Sequence, residues 1–236
     1  MIMYRRIHNN IYQIKPGRLS SHCYLITAEL NALIDSGTAR DFPKLERELG
    51  EIGLNAKDID IVINTHEHFD HIGGNLFLQK NSIIMAHRHA AVKIIYGDDE
   101  VMMCRTHGQR PVGYRVHVWL NNIDAVDLGG VFLRVMHTPG HTSGCICLYD
   151  PRNRILFSGD TLFANGTLSS IYNSGSLGEY FNSLRKIKTM KIDLLLPGHG
   201  RISGNVEVDI ERTLENTIRT FPDAEYIAKM LGLTEN

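Results

Sequence analysis

His66-Glu67-His68-Phe69-Asp70-His71 brings three imidazoles and the Asp70 carboxylate within six residues. The run follows Ile59-Asp60-Ile61-Val62-Ile63, whose β-branched residues read as a buried strand. A strand that ends in a ligand-dense loop holds its side chains in a fixed place. Imidazole with carboxylate suits zinc, iron or manganese, whereas thiolates would point to structural zinc or an iron–sulfur cluster. With 12 His in 236 residues, a chance H-x-H-x-D-H run has a probability on the order of 10⁻³, so a solvated polar turn is a poor account of it. The run carries more donors than one zinc with an open position can use. It therefore suggests two ions, one on His66 and His68 and the other on Asp70 and His71.

Further donors lie downstream. Thr138-Pro139-Gly140-His141-Thr142, Ser158-Gly159-Asp160-Thr161 and Pro197-Gly198-His199-Gly200 are Gly-containing turns, each with one His or Asp. Each follows an apolar run: Val131 to Met136, Ile155 to Phe157 and Ile192 to Leu196. Any one of these alone is an ordinary turn. Strand, tight turn and donor, repeated four times, is what points to a common site.

With H-E-H-F-D-H, T-P-G-H-T, S-G-D-T-L-F and P-G-H-G in that order, nearly the whole chain resembles the metallo-β-lactamase fold superfamily, and within it the glyoxalase II-type hydrolases. The resemblance implies that His66, His68 and His141 hold a first metal. Asp70, His71 and His199 would hold a second, and Asp160 would bridge them. It also implies an α/β fold, a four-layer αββα sandwich of two mixed sheets with helices on the outer faces, spanning residues 1–236 as one domain. Asp35, in Leu33-Ile34-Asp35-Ser36-Gly37, matches an Asp that usually supports the ligand loop; a simple turn carboxylate is an equal reading. The expected cofactors are two divalent ions, zinc first, with iron or manganese as alternatives. Two ions about 3.5–4 Å apart can share a water and lower its pKa from about 15.7 to about 7. The expected activity is attack by that bridging hydroxide on the carbonyl of a thioester, ester or lactone. Asp70 would be a ligand that also orients the hydroxide and carries a proton to the leaving group. Asp35, Thr65, Thr138 and Ser158 are candidates to bond the second ring nitrogen of the ligand histidines.

Composition agrees with a small-molecule enzyme. A 43% hydrophobic chain of this length can bury a sizeable core. A net charge of -1 with scattered Lys and Arg leaves no footprint for nucleic acid or an anionic membrane. No signal peptide or membrane span is visible, and Cys145 and Cys147 are poorly spaced for a mutual disulfide. A reduced, cytoplasmic chain is the expectation.

Short strands are expected at 11 to 15, 23 to 28, 31 to 35, 59 to 64, 82 to 86, 131 to 136, 145 to 149, 154 to 158 and 193 to 196. Helices are expected from Asp41 to Leu49 and from Gly73 to Gln79. The capping box Ser176-Leu177-Gly178-Glu179 opens another, to about Lys188. One through Val206, Ile210, Leu214 and Ile218 ends at Pro222, and a short one closes the chain at 224 to 231. Residues 87 to 122 are a variable segment, often a helical cap in related enzymes. Its apolar residues near Met102 would line a pocket, form a subunit contact in a homodimer, or be buried against the core. His87 and His89 read as ordinary surface or supporting groups, and His137 as a group at a strand end that could support the site.

The loop from Gly166 to Gly175 follows Asp160 and is expected to border the substrate, with Phe163, Tyr172 and Ser174 as candidate contacts. An Asp at the bridging position argues against a true β-lactamase, where a Cys often stands. The helical glutathione-binding domain of glyoxalase II enzymes has no clear counterpart here. Acyl-homoserine lactonases carry a Tyr shortly after that Asp, where this chain has Phe163. An iron-dependent sulfur dioxygenase is a second reading, and a non-catalytic metal-binding protein a third. The full set of seven donors favours the hydrolase.

Overall fold

The computed structural model describes residues 4–221 together with Tyr226 and Lys229; the closing helix expected at 224 to 231 otherwise lies outside the described residues. The first half of the chain forms a seven-stranded sheet in sequence order. Its strands are β1 (Tyr4–His8), β2 (Ile11–Ile14), β3 (Cys23–Ile26), β4 (Ala32–Ile34), β5 (Ile61–Asn64), β6 (Ile83–His87) and β7 (Val118–Leu120). The first four pair antiparallel and the last four parallel. The second half forms a five-stranded sheet from β8 (Ala125–Asp127), β9 (Phe132–His137), β10 (Ile146–Asp150), β11 (Ile155–Gly159) and β12 (Leu194–Pro197). Only β11 and β12 pair parallel in it.

Strand alternation builds the layers. In β5, Ile61 and Ile63 face the second sheet, while Val62 faces outward. In β11, Ile155 and Phe157 face the first sheet, while Leu156 faces outward. The central layer joins Tyr24, Ile26 and Ile34 to Val135, Leu148, Phe157 and Leu196. The outer face of the first sheet is covered by α1 (Phe42–Ile52) through Leu45 and Leu49, and by α4 (Arg88–Tyr96) through Ala91 and Ile94. Between them in the chain lie the single turns α2 (Phe69–Ile72) and α3 (Asn75–Leu78). The second sheet's outer face is covered by α6 (Leu177–Lys188) and α7 (Val206–Thr220) through Tyr180, Leu184, Ile187 and Ile210. This is the αββα sandwich. α6 starts as its capping box dictates, the Ser176 hydroxyl accepting from the Glu179 amide.

Three strands escaped the pattern. β1 is half-exposed, and β7 and β8 are three residues each, too short to display a period of two. The segment 87 to 122 includes α4, a further α-helical turn and β7. α4 belongs to the outer layer, α5 (Asp99–Met102) is one turn, and Met102 is buried in the core. Among the described residues, no helix is long and apolar enough to cross a membrane.

The sheets are joined through a few specific contacts. Phe157 packs edge-on against Tyr24 at 5.4 Å between centroids, and the Tyr24 hydroxyl donates to the Pro197 carbonyl at 2.7 Å. Phe157 is fully buried, so Phe157→Ala should destabilise by about 3–5 kcal/mol. Thermal unfolding should show a midpoint lowered by roughly 10 °C. A shift of a degree or two would mean that the ring is not part of the joint.

Candidate metal centre

β4 and β5 of one sheet, and β9, β11 and β12 of the other, all end at one edge of the sandwich. The turns after them carry Asp35, the 66–71 run, His141, Asp160 and His199. Backbone bonds sew the two sheets together beneath this edge. The Ile146 amide donates to Thr65 O at 2.8 Å and His22 N to Gly198 O at 2.7 Å, while Ser21 N to Asp70 O at 3.0 Å ties together two loops of the first sheet.

All seven candidate ligands meet there. His68 Nδ1 stands 3.0 Å from His66 Nε2 and 3.1 Å from His141 Nε2. Ligand nitrogens about 2.0–2.1 Å from a tetrahedral ion would be roughly 3.3 Å apart, so the three rings are spaced to share one. A second group is Asp70, His71 and His199, with Asp70 Oδ2 at 3.0 Å from His199 Nε2 and 3.7 Å from His71 Nε2. Asp160 lies between the groups. Its Oδ1 is 3.4 Å from His71 Nε2, and its Oδ2 is 3.7 Å from His141 Nε2 and 3.6 Å from His199 Nε2. His71 Nε2 and Asp160 Oδ1 are buried without a hydrogen-bond partner. Buried polar atoms are rarely left so, and a cation between them would satisfy both. The donor set fits borderline divalent ions.

The electrostatics agree. Burial and the neighbouring imidazoles hold His66 well below the usual range and bring His68 down to about 3; burial also lowers His141. These are neutral rings with lone pairs to offer. Burial works against charge on His71 and His199 too, yet Asp160 and the carboxylates beside each raise both. The Asp160 carboxyl, pushed up by burial, is held well below its usual range by His71 and His199. The carboxylates thus draw positive charge to the place where an ion fits.

Supporting residues fix the rings. Asp35 accepts from the Thr65 amide at 2.8 Å and the Thr65 hydroxyl at 2.7 Å, and its Oδ2 lies 2.8 Å from His71 Nδ1. It is therefore more than a turn carboxylate, and its φ of +56° is a conformation Asp tolerates better than most residues. Thr65 Oγ1 is also 3.2 Å from His66 Nδ1. Thr138 and Ser158 bond elsewhere, to Thr161 and to the Leu162 carbonyl. His141 Nδ1 instead meets the Ser170 carbonyl at 2.7 Å and the Ser169 hydroxyl at 3.0 Å. Those loop residues showed no sequence signal beyond their place after Asp160. Glu67, within the motif, is fully buried; it pairs with Lys93 at 2.7 Å and accepts from the Thr142 hydroxyl.

The site opens into a cavity of about 330 Å³. Phe163 and Tyr172 line it, as does Met103 from the apolar group near Met102, together with Arg18 and His107, which sequence reading did not single out as site residues. Tyr172 stands edge-on to His68 and His141 at 4.8 and 5.1 Å. Ser174 does not line the cavity. The chain turns at Tyr172 to Gly175, and the Ser174 hydroxyl accepts from the Ser143 amide. His87 is buried rather than on the surface, and it stacks on His137 away from the seven donors.

Clustered imidazoles and carboxylates where two mixed sheets meet in an αββα sandwich define a metallo-hydrolase. The chain belongs to the metallo-beta-lactamase superfamily, whose family model matches residues 16–199. A probable metallo-hydrolase of Methanocaldococcus jannaschii is 34% identical over 191 residues, covering 78% of this chain and 89% of its own. A hydroxyacylglutathione hydrolase of Nitrosococcus oceani is 34% identical over 69% of this chain and 56% of its own. An acyl-coenzyme A thioesterase of Bos taurus is 30% identical over 59% and 55%. The chain thus spans little more than half of the last two relatives. Among solved structures, the metallo-beta-lactamase of Legionella gormanii aligns with TM-score 0.75 at 20% identity, covering 94% of this chain and 96% of that one. A family protein of Thermus thermophilus gives 0.72 at 22%, covering 89% and 82%. The chain is a metal-dependent hydrolase by its family and relatives.

Two substitutions test how the edge is built. Asp35→Asn should weaken metal binding about 10–100-fold without unfolding the chain, read by zinc titration. A Cβ on Gly198 would overlap Asp160 Oδ1 and stand 2.7 Å from His71 Cε1. Gly198→Ala should therefore lower bound metal while circular dichroism stays unchanged; unchanged metal content would mean that the two side chains need not lie so close.

Proposed function

We infer that this chain hydrolyses a thioester, with two divalent ions, zinc first, as its cofactors. The observation that carries the dinuclear reading is Asp160, whose two carboxylate oxygens face imidazoles of both donor groups. His66, His68 and His141 would hold one ion and Asp70, His71 and His199 the other, with Asp160 shared between them. When bound, such a pair supplies Lewis acidity and lowers the pKa of water to give a nucleophile at neutral pH.

The chain's own residues account for the rest. Asp70 lines the cavity and is partly exposed, so its carboxylate can orient a water and pass a proton to the departing thiolate. The Tyr172 phenol borders the same cavity and can donate to the acyl oxygen. Phe163, Leu168 and Met103 give the acyl group apolar walls, and Arg18 offers a cation to an anionic tail. The thioester choice rests on two relatives, one named for acyl-coenzyme A and the other for hydroxyacylglutathione. Esters and lactones need the same carbonyl chemistry and are the alternatives. All four cysteines are free and buried, which agrees with a reducing, cytoplasmic setting.

The test is a screen of acyl-coenzyme A thioesters, S-lactoylglutathione and lactones, following thiol release or acid formation, with metal counted on the same preparation. Turnover of a thioester, lost in Asp160→Asn and lowered mainly in kcat by Tyr172→Phe, is the expected result. A single iron with no hydrolysis of any of these would replace the reading with oxygen-dependent sulfur chemistry.

A further inference from the structure

A second group of imidazoles lies apart from the seven donors. His87 ends β6, His89 stands in the first turn of α4, and His137 ends β9. One ligand atom from each lies within 4.8 Å of the other two. The rings of His87 and His137 stack at 3.8 Å between centroids, and His89 stands edge-on to both, at 4.9 and 5.5 Å.

The hydrogen bonds around the group suit a metal. His89 Nδ1 is 3.3 Å from the Ser143 carbonyl oxygen and His137 Nε2 is 2.9 Å from it. A carbonyl only accepts, so each ring must donate there, and the opposite nitrogen of each neutral ring keeps its lone pair. A ring N–H fixed on a backbone carbonyl is the usual support of a metal-binding histidine. His87 Nδ1 accepts from the His89 amide at 3.4 Å, a long bond that leaves the ring proton on Nε2, so an ion takes His87 either by displacing this bond at Nδ1 or at Nε2 once the proton has moved. Burial, together with the neighbouring rings, brings His87 down to about 3, and burial lowers His137. Neutral imidazole is the form that binds an ion. His89 is exposed and His137 half-buried, so the group is open to solvent on one side.

We propose that His87, His89 and His137 form a separate tri-histidine site for a divalent transition ion, the His87 and His137 rings turning out of their stack so that their lone pairs converge, with water or a small anion completing its coordination. The donor set contains no carboxylate, and Arg88, Lys93 and Lys186 are close enough to bear on its charge. The site therefore fills after the carboxylate-rich centre. It takes zinc, copper or nickel and leaves magnesium and calcium unbound. His137 and Ser143 flank the turn that carries His141, so an ion here would also stiffen the loop behind the main centre.

The test uses the full chain and zinc alone. Wild type, His89→Asn and Asp160→Asn are stripped with a chelator, equilibrated with excess zinc, freed of unbound metal and assayed for zinc per chain. His89 is exposed, so its replacement should leave the fold intact, which circular dichroism checks. The expected result is one zinc fewer in His89→Asn than in wild type, with hydrolytic turnover kept. Asp160→Asn should lose metal from the main centre yet retain one zinc that disappears in the His89→Asn, Asp160→Asn double variant. Imidazole nitrogen resonances of His87 and His137 should shift with the last zinc added and not with magnesium. Equal zinc in wild type and His89→Asn, with no shift of those resonances, overturns the proposal. An Asp160→Asn chain that binds as wild type counts against the bridging role of Asp160, and the loss of one zinc on adding His89→Asn to it would still support the tri-histidine site.

Discussion

A fully buried imidazole held between two carboxylates is the constraint on which this edge depends. His71 has Asp35 on one nitrogen and Asp160 near the other, and its ring is shut off from solvent. Burying that many polar groups is costly unless each finds a partner or a cation stands among them. The fold meets the first need on the Asp35 side, where Thr65 supplies both an amide and a hydroxyl. On the Asp160 side the partners are incomplete, and the incompleteness points inward, to the space between the two donor groups. The surrounding framework keeps that space from collapsing. Gly159, at φ +50°, brings its backbone against Thr65, and Gly198 does the same against Asp160 and His71.

The outward layers follow from ordinary patterning. Alternating Ile and Val in β5 can only be satisfied by apolar surface on both sides, which two sheets and a helical layer provide. This is why the sandwich and most of its strands could be read from the chain. The four strand-turn-donor units were legible for the same reason: a donor directly after a buried strand has few places to go. What could not be read were features without periodicity. β7 and β8 are too short, and β1 shows no buried face. The role of Ser169 and Ser170 beneath His141 depends on how an irregular loop folds back, which hydrophobic pattern does not encode. Asp35 could be noticed but not assigned, because its partner is 36 residues away.

Glu67 shows a different limit. Inside a ligand-rich motif its carboxylate looks like one more donor. The alternation along the loop turns it away, into an ion pair with Lys93 of α4 and a bond to Thr142. It thereby ties the 66–71 run to the turn that carries His141, so the two loops keep their spacing through a pair of charges rather than through packing. The same geometry separates the His87 cluster from the main centre: α4, held by Lys93, carries His89 toward His137 on the other side of Ser143.

Each sheet is drawn from one continuous stretch of chain, the first from residues up to Leu120 and the second from Ala125 onward. On a ribosome, the first sheet would emerge and pair before most of the second exists. Its donors, from His66 to His71, would then wait for His199, the last of the set to be made. The nascent protein would hold a half-site of exposed imidazoles and carboxylates through most of its synthesis. Commitment to the finished enzyme would come only with the final strand, so a chain cut short before β12 would carry the most recognisable motif of the sequence and lack the geometry that gives it meaning.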